Sequence, residues 1–171
     1  MSTEAIRESI RKAMTYLGEH PAEARYTDSS ATATLERGLR ITVEGPSGER
    51  ISTDMPTSVG GTASAPSPGW LFRSALASCE ATLIAMRAAV EGVELSRLEV
   101  VVDSESDDRG ILGIDEGVPA GPLRMRVRVR LSASGASQTA LREIAAWGHQ
   151  HCPVSDAVNR AIDSSLEVEA V

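Results

Sequence analysis

Aromatic side chains are few in this 171-residue chain: one Phe, two Tyr and two Trp. Lysine is nearly missing as well, since every basic residue except Lys12 is an arginine. Both biases look like overall composition and point to no particular chemistry. Basic charge itself is in deficit, with 17 Lys and Arg against 24 Asp and Glu and a formal net charge of −7. Such a chain lacks the diffuse positive field that draws in phosphate backbones, which argues against a general nucleic-acid binder. No run of about 18 apolar residues is free of charge, as a membrane span requires. The first residues also lack the basic start and apolar stretch of a secretory leader. The expectation is a cytoplasmic protein with neither a membrane nor a nucleic acid as partner. Cysteine is scarce too: Cys79 and Cys152 lie far apart with no C-x-x-C, which excludes a zinc ribbon or a thioredoxin-type motif. A structural disulfide is not expected in a reducing compartment. What remains is either two inert thiols or one working pair that the fold brings together.

What the chain does have is 42% hydrophobic residues. A single domain of this size buries a proper core, because about 150 residues suffice to hide roughly 68–70% of the unfolded surface. Ile6, Ile10, Ala13, Met14 and Leu17 recur at helical spacing between Thr3, a candidate N-cap, and Gly18, which predicts an N-terminal helix. Residues 30–54 carry short β-prone runs around Thr32, Thr34, Ile41, Val43 and Ile51, punctuated by Arg37-Gly38 and Gly45-Pro46-Ser47-Gly48. Three short strands are predicted there. After a Gly-, Pro- and Ser-rich loop, Ser67-Pro68 announces a helix that runs to Glu91-Gly92 and is apolar on most sides, the pattern of a helix surrounded by protein. Strands are predicted over 97–107 and 123–131, the second alternating Leu123, Met125, Val127, Val129 and Leu131 with Arg124, Arg126, Arg128 and Arg130. Helices over about 137–150 and 153–163 and a last strand through Leu166, Val168 and Ala170 complete the prediction.

The four arginines read as a solvated sheet face neutralised by Glu99, Asp103 and Glu105, with Glu167 and Glu169 as further candidates. Cys79, in the middle of the long helix, is by default a small core residue. Cys152 precedes Pro153 at a helix start, where backbone N–H groups and the helix dipole favour a thiolate. His149 and His151 beside it match no recognised zinc spacing and read as polar decoration near a helix junction; no metal and no other cofactor is expected. Glu80 interrupts the apolar stripe of residues 72, 76, 80 and 84, where an unpartnered carboxylate is costly. Either Arg73 or Arg87, each two turns away, reaches toward it, or the seam opens to solvent or a subunit interface. So apolar a helix needs more cover than these few elements provide, which predicts an obligate homodimer.

Several segments resemble one family. Gly60-Gly61, Ala65-Pro66-Ser67-Pro68 and Leu71-Phe72-x-x-Ala75-Leu76-Ala77-Ser78-Cys79 are followed much later by His151-Cys152-Pro153-Val154-Ser155. This set is similar to the osmotically inducible protein C and organic hydroperoxide resistance family (OsmC/Ohr). The resemblance covers residues 30–171, leaving 1–29 as an N-terminal helical extension. It implies an α+β fold with antiparallel sheets around a long central apolar helix, in an intertwined homodimer with two interface sites. It also implies thiol peroxidase chemistry: Cys79 attacks the O–O bond of an organic hydroperoxide, and Cys152 resolves the sulfenic acid to a disulfide that a dithiol, such as a lipoyl group, reduces. In the peroxidases of the family an arginine from the first strands activates the thiolate, a position that Arg37 or Arg40 matches. A glutamate that holds this arginine follows the helix-opening proline. Here that position reads Pro68-Gly69-Trp70, so slow turnover is expected, with Glu80 as the remaining candidate support. The alternative is a weakly catalytic protein that binds an apolar small molecule in the same interface pocket.

Overall fold

A computed structural model describes residues 2–170. It is an α+β chain in the order α1 (Thr3–Glu19), β1 (Thr32–Arg37), β2 (Arg40–Glu44), β3 (Arg50–Thr53), α2 (Pro68–Glu91), β4 (Leu95–Glu105), α3 (Asp108–Ile111), β5 (Arg124–Ala133), α4 (Gln138–Gln150) and α5 (Pro153–Asn159), with 3-10 turns at Pro21–Ala24 and Thr57–Val59. Two compact units are distinguishable. One holds the described residues up to Arg7, Leu76–Val102 and those from Arg126 onward; the other holds Glu8–Ala75 and Asp103–Met125.

In the second unit β1, β2 and β3 form an antiparallel sheet in sequence order, with Thr34 opposite Thr42 and Val43 opposite Ile51. The turn between β1 and β2 passes through Gly38 at φ +55°, a left-handed conformation that glycine adopts without the steric cost of a Cβ. Directly after β3 comes Asp54, which is 2% exposed. Its carboxylate accepts hydrogen bonds from the Met55 amide (2.8 Å), from the Thr62 amide and hydroxyl (3.1 and 2.5 Å) and from the Ser64 amide and hydroxyl (3.0 and 2.8 Å). The 55–66 segment, which sequence reads as a featureless loop, is therefore wound around one anion. Gly61 passes so close to Met55 that an added Cβ would lie 1.8 Å from its carbonyl oxygen.

The hydroxyl of Thr62 and then the amide of Ser64 hold the Asp54 carboxyl well below the usual carboxylate range. A folded-state value below the unfolded one stabilises the fold fully above the unfolded pKa of about 3.9, and that stabilisation fades as the pH falls further. Asp54→Ala is accordingly expected to lower the urea midpoint clearly at pH 7, and the gap from wild type should narrow between pH 4 and pH 2. Urea titrations across that range check it; a gap that stays constant would show that Asp54 acts without its charge.

The helix α2 begins as its sequence demands. The Ser67 hydroxyl accepts the Trp70 amide at 3.2 Å, and Pro68 occupies the first helical position, where its missing N–H costs nothing. It ends in a Schellman motif: Gly92, at φ +75°, donates to Ala89 O (3.0 Å) and Val93 donates to Ala88 O (2.8 Å). Arg7 of α1 adds a hydrogen bond to Ala89 O at 3.1 Å. In the first unit the core is Ile84, Ala88 and Ile144, with Val93, Leu95, Leu98, Val100, Val129, Leu131 and Ala145 packed against it. The helix is less enclosed than its composition suggests: its buried residues are Leu76, Glu80, Ile84, Ala88 and Ala89, while Trp70 and Phe72 are exposed. The chain's own elements cover one stripe of it.

Strands β4 and β5 pair as a two-stranded ladder, joined by Leu123 N to Glu105 O at 2.8 Å and by Ser96 Oγ to Ser132 O at 3.1 Å. Burial along β5 alternates strictly, and Glu99 meets Arg97 at 2.6 Å and, from the arginine stripe, Arg130 at 3.6 Å, one of the cross-strand pairings expected there. Two expectations need correction. The predicted turn after β4 contains the short helix α3, capped by the Asp107 side chain. The last strand does not form among the described residues: α5 stops at Asn159 rather than near 163, and Leu166 is 87% exposed. Alternation alone makes no strand, because a strand needs a partner edge for its N–H and C=O groups. Glu167 and Glu169 consequently have no sheet on which to meet the arginines. No helix among the described residues is long and apolar enough to cross a membrane.

Candidate functional site

Within the first unit, α2 meets α4 and the start of α5 along three successive pairs of residues. The innermost is Ile84 with Gly148, where the helices approach so closely that a Cβ on Gly148 would sit 2.5 Å from Ile84 Cγ1 and 2.9 Å from its backbone nitrogen. Only glycine permits that crossing. One turn further along α2, Glu80 is fully buried and its Oε1 accepts a hydrogen bond from His149 Nδ1 at 2.6 Å. Beside this pair lie the two thiols. Cys152 is fully buried, Cys79 is half-buried, both are free, and the Cys79 thiol lies near enough to the Cys152 thiol to shift its titration.

Cys152 caps α5, as Pro153 after it suggests. Its sulfur accepts the Ser155 amide at 3.4 Å, and its carbonyl accepts the Asp156 amide at 2.9 Å. The expected shift toward thiolate is nevertheless reversed. Burial pushes the Cys152 thiol above its ordinary value, the amides of Ser155 and Val154 pull the other way, and the nearby Cys79 thiol adds to the rise. A helix N-terminus supplies only partial charge, whereas loss of water penalises the whole thiolate.

Glu80 also differs from expectation. Arg73 donates instead to Ser104 Oγ at 3.3 Å, and Arg87 pairs with Glu91 while lying 5.0 Å from the centroid of the Trp147 ring. His149, read from sequence as decoration, is the partner; the signal available was that a buried carboxylate demands one. The reading as decoration suits His151, which stacks on Trp147 at 4.0 Å and hydrogen-bonds its carbonyl.

The arginine candidates lie in the second unit. Arg40 donates from Nε to Glu36 at 2.8 Å and from a terminal nitrogen to Ser64 Oγ at 2.8 Å, and Ser64 in turn donates to Asp54. Thr42 also donates to Glu36. These donors, Thr42 first and Arg40 next, hold the Glu36 carboxyl below its ordinary value. Arg37, opposite Arg40 across the turn, pairs with no carboxylate among the described residues. Glu36, Ser64 and Asp54 are members of this network that sequence reasoning missed. The cross-strand pairing that brings residue 36 beside 40 and 42 is set by the hairpin register, which has no compositional mark.

An α+β architecture with paired antiparallel strands, a long helix carrying one cysteine and a helix cap carrying the other defines a two-thiol protein. The chain belongs to the OsmC-like protein family, whose family model matches residues 61–167. Solved structures agree on the fold. An organic hydroperoxide resistance protein of Legionella pneumophila is 22% identical, with 78% of this chain and 90% of that one covered and a TM-score of 0.58. The OsmC-like protein of Mycoplasma pneumoniae is 18% identical (79% and 89% covered, TM-score 0.66). An organic hydroperoxide resistance protein of Bacillus subtilis is 19% identical (84% and 98% covered, TM-score 0.52). Among curated proteins, none matches.

Proposed function

We propose that the protein is a thiol-dependent reductase of organic hydroperoxides, working as a homodimer in the cytoplasm without a bound cofactor. The observation that carries this reading is the meeting of Cys79 and Cys152 from two different helices within one unit. The relatives in Legionella pneumophila and Bacillus subtilis, both organic hydroperoxide resistance proteins, support the choice of substrate class.

The environments of the two sulfurs favour a division of roles. Only a thiolate attacks an O–O bond. Cys152 is sealed from solvent and biased toward the neutral thiol, so it is poorly suited to the first attack; Cys79 is the accessible one. The Cys79 thiolate displaces alkoxide from the hydroperoxide, leaving a sulfenic acid, and the alkoxide takes up a proton to leave as alcohol. Cys152 then attacks the sulfenic sulfur, its own proton departing with the hydroxide as water, and a disulfide remains. A dithiol of the lipoyl type delivers two electrons and two protons to restore both thiols. The family resemblance calls for an activating arginine, and of its two candidates Arg40 is the better held, by Glu36 and Ser64; a guanidinium held by a charge-assisted bond loses less freedom when it acts. The second copy would cover the exposed side of α2, where Trp70 and Phe72 lie.

Binding of an apolar molecule receives no comparable support. A cleft of about 920 Å³ along α4 and the end of α2 is lined by Arg87, Glu91, Glu94, Glu143 and Trp147 among others, and by neither thiol.

The test is one equivalent of an alkyl hydroperoxide added to the reduced protein. Both thiols are expected to disappear together, with one intramolecular disulfide seen by mass spectrometry and one alcohol released. Persistence of both thiols, or oxidation of Cys79 to a sulfenic acid that Cys152 does not resolve, would overturn the reading.

A further inference from the structure

We infer that Glu80 and His149 form a positioning pair that sets the separation of the two thiols. The inference rests on the thiol-pair reading but gives His149 a first role and Glu80 a role other than support of an activating arginine. Glu80 follows Cys79 on α2, and His149 stands one helical turn before Cys152, whose amide donates to the His149 carbonyl at 3.4 Å. The 2.6 Å bond between their side chains therefore links the two backbones that carry the sulfurs, immediately beside the sulfurs themselves.

Two features make this bond more than incidental packing. Glu80 is fully buried and its second oxygen, Oε2, has no hydrogen-bond partner among the described residues, so His149 alone holds the carboxylate in place. A carboxylate taken out of water for a single bond is an expensive way to fill space, since a leucine would pack at no electrostatic cost. Secondly, the His149 side chain remains 51% exposed. Its ring reaches inward from a helix face that is otherwise open to solvent, so the bond has no enclosing shell and fixes the end of α4 by direction rather than by burial. Gly148 beside it pins α4 to α2 at Ile84 but, lacking a side chain, sets no orientation. The hydrogen bond, which prefers a narrow range of angles, supplies it.

The consequence concerns disulfide closure, in which Cys79 and Cys152 lose two electrons and two protons to an oxidant and form one S–S bond. With glutathione as oxidant, one oxidised molecule yields two of the reduced form, and the equilibrium constant is the effective concentration of one thiol at the other. This measurement needs no peroxide. If the disulfide forms but no hydroperoxide is reduced, the proposed function fails while the positioning role stands.

In the full chain, His149→Ala and the apolar double variant Glu80→Leu/His149→Leu are expected to lower the effective concentration about tenfold or more. His149→Asn, whose side-chain amide nitrogen overlays Nδ1, should restore it to within about threefold of wild type. Alkylation of Cys79 by iodoacetamide should change less than twofold throughout, which separates loss of positioning from a collapsed site. If His149→Ala leaves a buried unpaired carboxylate that prevents folding, the double variant, which removes that charge, decides. The inference is overturned if the double variant retains the wild-type value within twofold, if His149→Asn falls as far as His149→Ala, or if the wild type forms no intramolecular disulfide across the glutathione range.

Discussion

Serine in place of Cys79 is expected to reduce the steady-state consumption of an organic hydroperoxide by about 10³-fold or more, a barrier increase of about 4 kcal/mol. The loss is large because the hydroxyl of serine stays protonated at neutral pH and does not attack peroxide oxygen, whereas a few per cent of even an ordinary thiol is thiolate. No other described group offers a replacement, since the second sulfur is fully buried and biased toward the neutral thiol. Cys152→Ser should behave differently. Its first turnover should proceed at nearly the wild-type rate, and later ones should fail as the unresolved sulfenic acid is oxidised further to sulfinic acid. Stopped-flow measurement of the first turnover, followed by mass spectrometry of Cys79 after several equivalents of hydroperoxide, distinguishes the two variants. A Cys79→Ser enzyme that retained turnover, or a Cys152→Ser enzyme that sustained it, would reassign the chemistry.

Gly148→Ala should cost the fold more than any other single methyl placed on α4 or α2. The new carbon would lie 2.5 Å from Ile84 Cγ1 and 2.9 Å from the Ile84 backbone nitrogen, and Ile84 is fully buried. A rotamer change relieves the first clash, but only a shift of the whole helix relieves the second. Overpacking of this kind costs about 3 kcal/mol. With a urea dependence of about 2 kcal/mol/M, the unfolding midpoint should fall by about 1.5 M at a fixed protein concentration. The same displacement moves His149 and Cys152 away from Glu80 and Cys79, so disulfide closure should slow as well. Gly69→Ala is the natural control: nothing lies closer than 3.8 Å to its added carbon, and alanine is the better helix former. That variant should be as stable as wild type or slightly more so. Equal destabilisation by the two alanines would show that the close crossing of α2 and α4 is not held in solution.

Much of the architecture is legible before any coordinates. Ser67-Pro68 and Glu91-Gly92 mark the limits of α2, the arginine alternation marks the exposed face of β5, and Cys152-Pro153 marks the start of α5. Each of these signals acts over a few residues of backbone, through a cap, a fixed φ or a side-chain period, so the local sequence is enough to state it. The same locality explains the error at Leu166 to Ala170. The alternation there is genuine, but a strand is a property of two segments, and among the described residues this one pairs with no second segment.

By itself, then, the sequence determined the limits of α2 and the start of α5, which side of β5 faces water, and that two thiols stand on two helices. Tertiary structure alone decided that those thiols meet, that His149 rather than Arg73 or Arg87 answers the Glu80 carboxylate, and that Cys152 is biased toward thiol rather than thiolate. The physical reason is common to all three. Desolvation and pairing depend on which distant segment packs against a residue, and here that is fixed by the close crossing at Ile84 and Gly148, a fit between surfaces that no run of neighbouring residues encodes.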